Sequence, residues 1–253
     1  MLRSFTLLVL CELSASFSIP TLVATKGRFV IASQNNGHIH ATSTALSMSL
    51  TLYGHPGTRS PLVNWACHEL GVDFTMGDLS ANPHPFGQIP CLTDDDDKVV
   101  LFESGAILQY LNYYHSSLTK QQTAAITSWI TWANASLDPI CFLETPEGKV
   151  YDTGLKKANK RMDRLNAILS QQEWLVESAG FTLADVAVAS YLLYVIQFFP
   201  DTKLQWPAVV RFMKRAAARD AYQQAFGADM QAMLLDRLSK QDLTDSKKIF
   251  GMF

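Results

Sequence analysis

The chain has 253 residues, 48% hydrophobic and 17% charged, enough for two modest domains and unlike a disordered or low-complexity polypeptide. A formal charge of −2 argues against a nucleic-acid binder, which needs clustered Lys and Arg to neutralise phosphates. The four cysteines, Cys11, Cys67, Cys91 and Cys141, form no C-x-x-C pair and no zinc-ligand spacing, so neither a disulfide scaffold nor a metal centre is expected and a reducing compartment fits.

The N-terminal segment reads as a leader. Arg3, the apolar run Phe5 to Cys11 broken only by Thr6, and Ser14-Ala15-Ser16 follow the order of a secretory signal, too short to span a bilayer. From Phe17 to Ser49 the chain is rich in Ser, Thr and Ala, lacks acids and shows no sustained apolar periodicity, as a transit peptide does. Ala15-Ser16-Phe17-Ser18-Ile19-Pro20 resembles the cleavage signature of proteins imported into plastids bounded by extra membranes. Residues 1–47 are therefore expected to address the protein to the plastid (chloroplast) stroma, with the secretory pathway or the mitochondrion as alternatives. His38 and His40 have no third ligand nearby, so a metal is not expected there.

Leu50 to Gly54 predicts a short strand. Ser60-Pro61 predicts a helix start, with Ser60 as cap and Leu62, Val63, Ala66 and Leu70 as its apolar stripe, ended by Gly71. Val72 to Met76 predicts a second strand. Ile89-Pro90-Cys91-Leu92 and Val99 to Phe102 predict a hairpin around Asp94 to Lys98, a charged surface turn. Pro90 has no N–H for a strand ladder, which leaves the backbone of Ile89 to pair with something other than protein. Ser104 then opens a helix through Ile107, Leu108, Tyr110 and Leu111. A helix start attracts a carboxylate, and Glu103 beside it could hold an ammonium, a pairing suited to a small zwitterionic peptide.

From Thr119 onward no strand pattern returns. Helices are expected over Thr119 to Phe142 and Asp152 to Trp174, and at Phe181-Thr182-Leu183-Ala184-Asp185-Val186, where Thr182 caps and Asp185 reaches back. The helix from Leu183 to Phe199 is apolar all round, which predicts burial on every side rather than a membrane span. The expected layout is an α+β protein: a leader over 1–47, a mixed domain over 48–116, an all-α domain over 119–240 and a flexible tail over 241–253.

PFGQIP at 85–90 followed by LFESGAILQYL at 101–111 resembles the glutathione-binding half of soluble glutathione transferases, and the Thr182-to-Asp185 cap resembles that of their helical domain. The resemblance implies a thioredoxin-like N-terminal domain and an all-α C-terminal domain that supplies an electrophile pocket. It implies a cis peptide before Pro90, backbone pairing of Ile89 with the cysteinyl part of glutathione, and Glu103 and Ser104 on the γ-glutamyl end, with Gln88 adjacent. The thiol-activating group is expected in GHPGTRS at 54–60, which offers Thr58 and Ser60 but no cysteine. Tyr-Gly-His-Pro resembles the serine-type plant classes and places Thr58 at their serine, with Arg59 as a departure. The implied activity is conjugation of glutathione to a small hydrophobic electrophile, as in detoxification, or reduction of organic peroxides, without a metal and as a homodimer. The alternative is a non-catalytic binding module on the same scaffold. Tyr151, Phe198 and Trp206 either line the electrophile pocket or pack.

Overall fold

The computed structural model describes residues 21–25, 28–35, 38–42, 50–56, 58–114 and 117–249, in two compact units, Met1–Ser47 and Met48–Phe253. The signal-like segment at 1–16 lies outside the described residues. In the first unit, β1 (Thr21–Thr25), β2 (Arg28–Asn35) and β3 (His38–Thr42) pair antiparallel in that order. Strands were not expected here. The signal lay in the dipeptides between them, Lys26-Gly27 and above all Asn36-Gly37, which is a strong hairpin marker.

The second unit opens with β4 (Leu50–Tyr53), α1 (Ser60–Leu70) and β5 (Phe74–Met76), with β4 and β5 parallel as a helical crossover requires. β6 (Cys91–Asp94) and β7 (Val99–Phe102) add antiparallel strands, giving the order β5-β4-β6-β7, and α2 (Ser104–Leu111) closes the domain. Leu50 and Leu52 alternate inward from β4 and meet Leu62, Val63 and Ala66 of α1 and Ile107, Leu108 and Leu111 of α2 in one core. The turn at Asp94 to Lys98 is not merely charged surface. Asp94 is 2% exposed and accepts from the hydroxyls of Tyr110 at 2.8 Å and Tyr114 at 2.9 Å. Burial raises the pKa of its carboxyl, but these bonds and those from Asp96 and Asp97 N–H outweigh it and hold the carboxyl below its usual range.

The helical domain contains α3 (Lys120–Trp132), α4 (Asp138–Cys141), α5 (Lys160–Leu169), α6 (Leu183–Phe198), α7 (Pro207–Ala217), α8 (Asp220–Phe226) and α9 (Ala228–Ile249). A π-turn at Ala133–Leu137 joins α3 to α4, so the predicted helix to Phe142 exists but with one wide turn in it. The next helix starts at Lys160 rather than Asp152. Asn159 caps it, and residues 143–152 instead form a short antiparallel ribbon, β8 (Leu143–Glu144) and β9 (Val150–Asp152). α9 runs past residue 240 to Ile249.

α6 is the axis of this domain. Its residues from Leu183 to Ile196 are all buried, as the absence of a polar face predicts. Its start carries the predicted capping box: Thr182 Oγ1 accepts from Ala184 N–H at 3.3 Å, and Asp185 accepts from Thr182 N–H at 2.8 Å. Among the described residues no helix is long and apolar enough to cross a membrane. The two domains are joined between α1 and α8. Trp65 packs edge-on against Tyr222 at 4.9 Å, while Arg219 bonds Glu69 through Nε at 2.8 Å and lies 4.0 Å over the Phe181 ring.

Candidate functional site

The loop between β4 and α1 places both expected hydroxyls, in roles other than those expected. Ser60 is not a cap: it is the first residue of α1, buried, with Pro61 behind it and Arg59 already helical at φ −79° and ψ −1°. The oxygen that takes the N–H of Ser60 belongs to Thr58, at 3.1 Å. Serine before proline fits either register, and the structure selects the one in which Thr58 does the capping. Thr58 Oγ1 donates to the His55 carbonyl at 2.8 Å, so in the 2.7 Å contact between the two hydroxyls Ser60 is the donor. His55 N–H in turn donates to Ser60 Oγ at 3.2 Å. The proton of Ser60 is thus spent on Thr58, while half-buried Thr58 ends the chain of donors. Gly54 makes this possible, because a Cβ there would stand 2.4 Å from Ser60 Cβ.

Gln88 is exposed, Ile89 half-buried and Pro90 buried, and the Ile89–Pro90 peptide is cis. The β6 ladder begins only at Cys91, two residues beyond Ile89, and Asn82 Nδ2 donates to the Gln88 carbonyl at 2.8 Å. At the start of α2, Glu103 is exposed and adopts φ 66° and ψ 119°, a left-handed conformation that costs a non-glycine residue on the order of 1 kcal/mol or more. Its side chain makes no cap bond. Ser104 beside it is buried and faces the helical domain. The Asn134 amide, oriented so that its neighbours are satisfied, accepts from Ser104 Oγ and Gly105 N–H and donates to the Ile130 carbonyl, each at 3.2 Å. Tyr191 lies near Ser104 and is buried, and burial pushes its hydroxyl pKa up to about 12.

Arg59, the departure from the plant pattern, reaches across to the helical domain. It pairs with Asp138 at 2.5 Å and lies 5.8 Å from the centre of the Tyr191 ring. Burial raises the Asp138 carboxyl and the guanidinium opposes that rise. Beside this pair lies a groove of about 330 Å³ lined by Asp138, Pro139, Phe142, Leu143, Glu144 and Tyr151. Tyr151 lines this groove, whereas Trp206 is buried and bonds Asp163 at 2.7 Å, and Phe198 stacks on Tyr194. A cleft of about 340 Å³ over Trp129, Trp132, Leu165 and Ile168 shares no residue with this cluster.

No described cysteine serves as a nucleophile here. Cys67, Cys91 and Cys141 are buried, and burial pushes Cys67 up to about 12. The sequence singled out neither Asn134, Asp138 nor Tyr191, since each acts through a contact with a distant segment. Among the described residues no group of three or more His, Cys, Asp and Glu is placed to hold a metal ion.

Two domain families match the chain: the glutathione S-transferase N-terminal domain over residues 48–113 and the glutathione S-transferase C-terminal domain over residues 136–220. A glutathione S-transferase of Silene vulgaris is 25% identical over 219 residues, 73% of this chain and all of the relative. The apo structure of a glutathione S-transferase III superposes with a TM-score of 0.55 at 29% identity, covering 71% of this chain and 96% of that one. A glutathione transferase of Burkholderia graminis, with two glutathione molecules per subunit, superposes with a TM-score of 0.56 at 21% identity, covering 72% of this chain and 88% of that one.

Proposed function

Because the chain belongs to the glutathione S-transferase family, with both of its domains in order, we propose that it binds glutathione between the Ile89–Pro90 turn and the start of α2 and transfers its thiolate to a small electrophile. The observation that carries this reading is the start of α2. An exposed carboxylate held in a disfavoured backbone conformation stands next to a buried serine and the positive end of a helix. Such an arrangement complements a γ-glutamyl group: Glu103 takes its ammonium, and the backbone N–H end of α2 at Ser104, whose hydroxyl proton goes to Asn134, takes its carboxylate. Ile89 offers its backbone to the cysteinyl part, with Gln88 at the rim, and this directs the sulfur toward the Thr58 loop.

A thiol with a pKa of about 8.5 is mostly protonated at neutral pH, so a donor that stabilises the thiolate raises the reactive fraction. Thr58 supplies that donor. Its proton swings from the His55 carbonyl to sulfur while Thr58 goes on accepting from Ser60. The thiolate then attacks an electrophilic carbon in the groove beside Arg59 and Asp138; a carbon–sulfur bond forms, and the leaving group departs with the electron pair of the bond that breaks.

Glu103→Ala tests the binding half of this reading, since the side chain is exposed and caps nothing. Isothermal titration of glutathione is expected to show a loss of roughly 1.5 to 3 kcal/mol, with the melting temperature unchanged. Ser104→Ala is the less clean variant, because it also unpairs Asn134. Equal affinities for wild type and Glu103→Ala would remove glutathione from this position.

The leader belongs to the same proposal: cleavage between Ala41 and Leu50 delivers the second unit to a plastid stroma. N-terminal sequencing of the native protein is expected to start within that interval. A native chain that begins at Met1, or just after Ser16, contradicts it.

A further inference from the structure

We propose that Asn134, contributed by the helical domain, is the positioning residue for the γ-glutamyl end of glutathione, holding Ser104 and the first turn of α2 in the geometry that receives it. This rests on the glutathione reading above and goes beyond it by making that half of the peptide site depend on the second domain.

The first N–H groups of a helix have no partner inside it, and side chains at the cap ordinarily supply one. α2 has no such cap of its own, because the Glu103 side chain makes no cap bond. Asn134 stands in for it. Its oxygen takes the Gly105 N–H and the Ser104 hydroxyl together, at 3.2 Å each, and its nitrogen is anchored on the Ile130 carbonyl one turn earlier in its own helix. An amide tied at both ends has a fixed orientation, and so does the hydroxyl it receives.

Two features of the chain are shaped around this contact. Gly105 is one: a Cβ there would lie 3.0 Å from the Asn134 oxygen that accepts its N–H and 3.1 Å from Asn134 Cγ, so only glycine lets the amide come this close without displacement. The other is the π-turn at Ala133–Leu137, which interrupts a helical run at the residues that meet α2. Wide turns of this kind weaken regular helix bonding and recur at functional positions. Glu103, exposed beside the fixed Ser104, keeps its carboxylate open to the ligand.

The experiment compares glutathione with the dipeptide Cys-Gly, which lacks the γ-glutamyl group, using the full chain as wild type, Asn134→Leu and Gly105→Ala. Affinities come from titration, and KM and kcat from conjugation of a nitroaromatic chloride. Each variant is expected to raise the KM for glutathione at least tenfold, with kcat at saturating glutathione changed less than threefold. The preference for glutathione over Cys-Gly is expected to shrink at least tenfold, a readout that general destabilisation does not move. Should Asn134→Leu fail to fold, Gly105→Ala, which keeps the asparagine and displaces it, reads the same ratio. If both peptides weaken equally, or if the glutathione KM is unchanged, Asn134 is structural only and the proposal falls. A wild type that binds neither peptide overturns the glutathione reading itself.

Discussion

Replacing Asp185 with Ala is expected to destabilise the protein by about 3 to 5 kcal/mol, against about 1 kcal/mol for Thr182→Ala. The capping-box pattern alone would give the two residues similar weight. The structure separates them, because Asp185 is fully buried and accepts from Leu175 N–H at 2.8 Å as well as from Thr182 N–H at 2.8 Å and Thr182 Oγ1 at 3.1 Å. Its removal strands three donors in the middle of the helical core and detaches the loop before α6. Burial pushes the carboxyl up to about 6 while these donors pull it down, so at neutral pH it remains an ionised acceptor. Thr182→Ala loses only one 3.3 Å bond to Ala184 N–H and the hydroxyl contact to Asp185. Urea unfolding followed by tryptophan fluorescence decides: equal midpoints for the two variants would show that the bond to Leu175 contributes nothing.

Thr58→Val is expected to lower the conjugation rate by about ten- to a hundredfold with little change in glutathione affinity. The hydroxyl donates to the thiolate rather than to the neutral thiol, so its loss is felt in the reactive form. Ser60→Ala is expected to lower the rate by a smaller factor, about three- to tenfold, since Ser60 donates to Thr58 and polarises it without facing the ligand. Thr58→Ser keeps donor and cap and is expected to restore most of the rate. Steady-state rates at saturating glutathione order the three variants. If Ser60→Ala is the more damaging and Thr58→Val nearly silent, sulfur is held by Ser60 and the direction of the hydrogen-bond chain is reversed.

How much of this was legible in the sequence depended on whether a residue's role is fixed by its neighbours. The box at Thr182 and Asp185 was readable because both partners lie within one turn, and the burial of α6 from Leu183 to Ile196 because that run has no polar face; only Gln197 and Phe198 at its end come out of the core. The cis peptide before Pro90 and the helix start at Ser104 were readable as a spacing. Ser60 was misplaced by one position, since the same Ser-Pro pair fits a cap or a first turn, and only the buried contact with Gly54 and Thr58 decides between them. The two- and three-residue strands of β8 and β9 are too short to carry a period. Asp94 was hidden in a run of acids, because nothing local distinguishes the one that turns inward toward Tyr110 and Tyr114 from those that face water. Asn134, Asp138 and Arg59 acquire their roles only when the two domains meet.

The central claim is that this protein binds glutathione and holds it as a thiolate. Its most direct test is the absorbance of the thiolate as a function of pH for glutathione at saturation on the full chain. The bound thiol is expected to titrate at least about one unit below its value of roughly 8.5 to 9 in solution, and to return toward that value in Thr58→Val. A bound thiol that titrates as it does in free glutathione would mean that the site holds the peptide without activating it, and the protein would then be a binding module on a transferase scaffold.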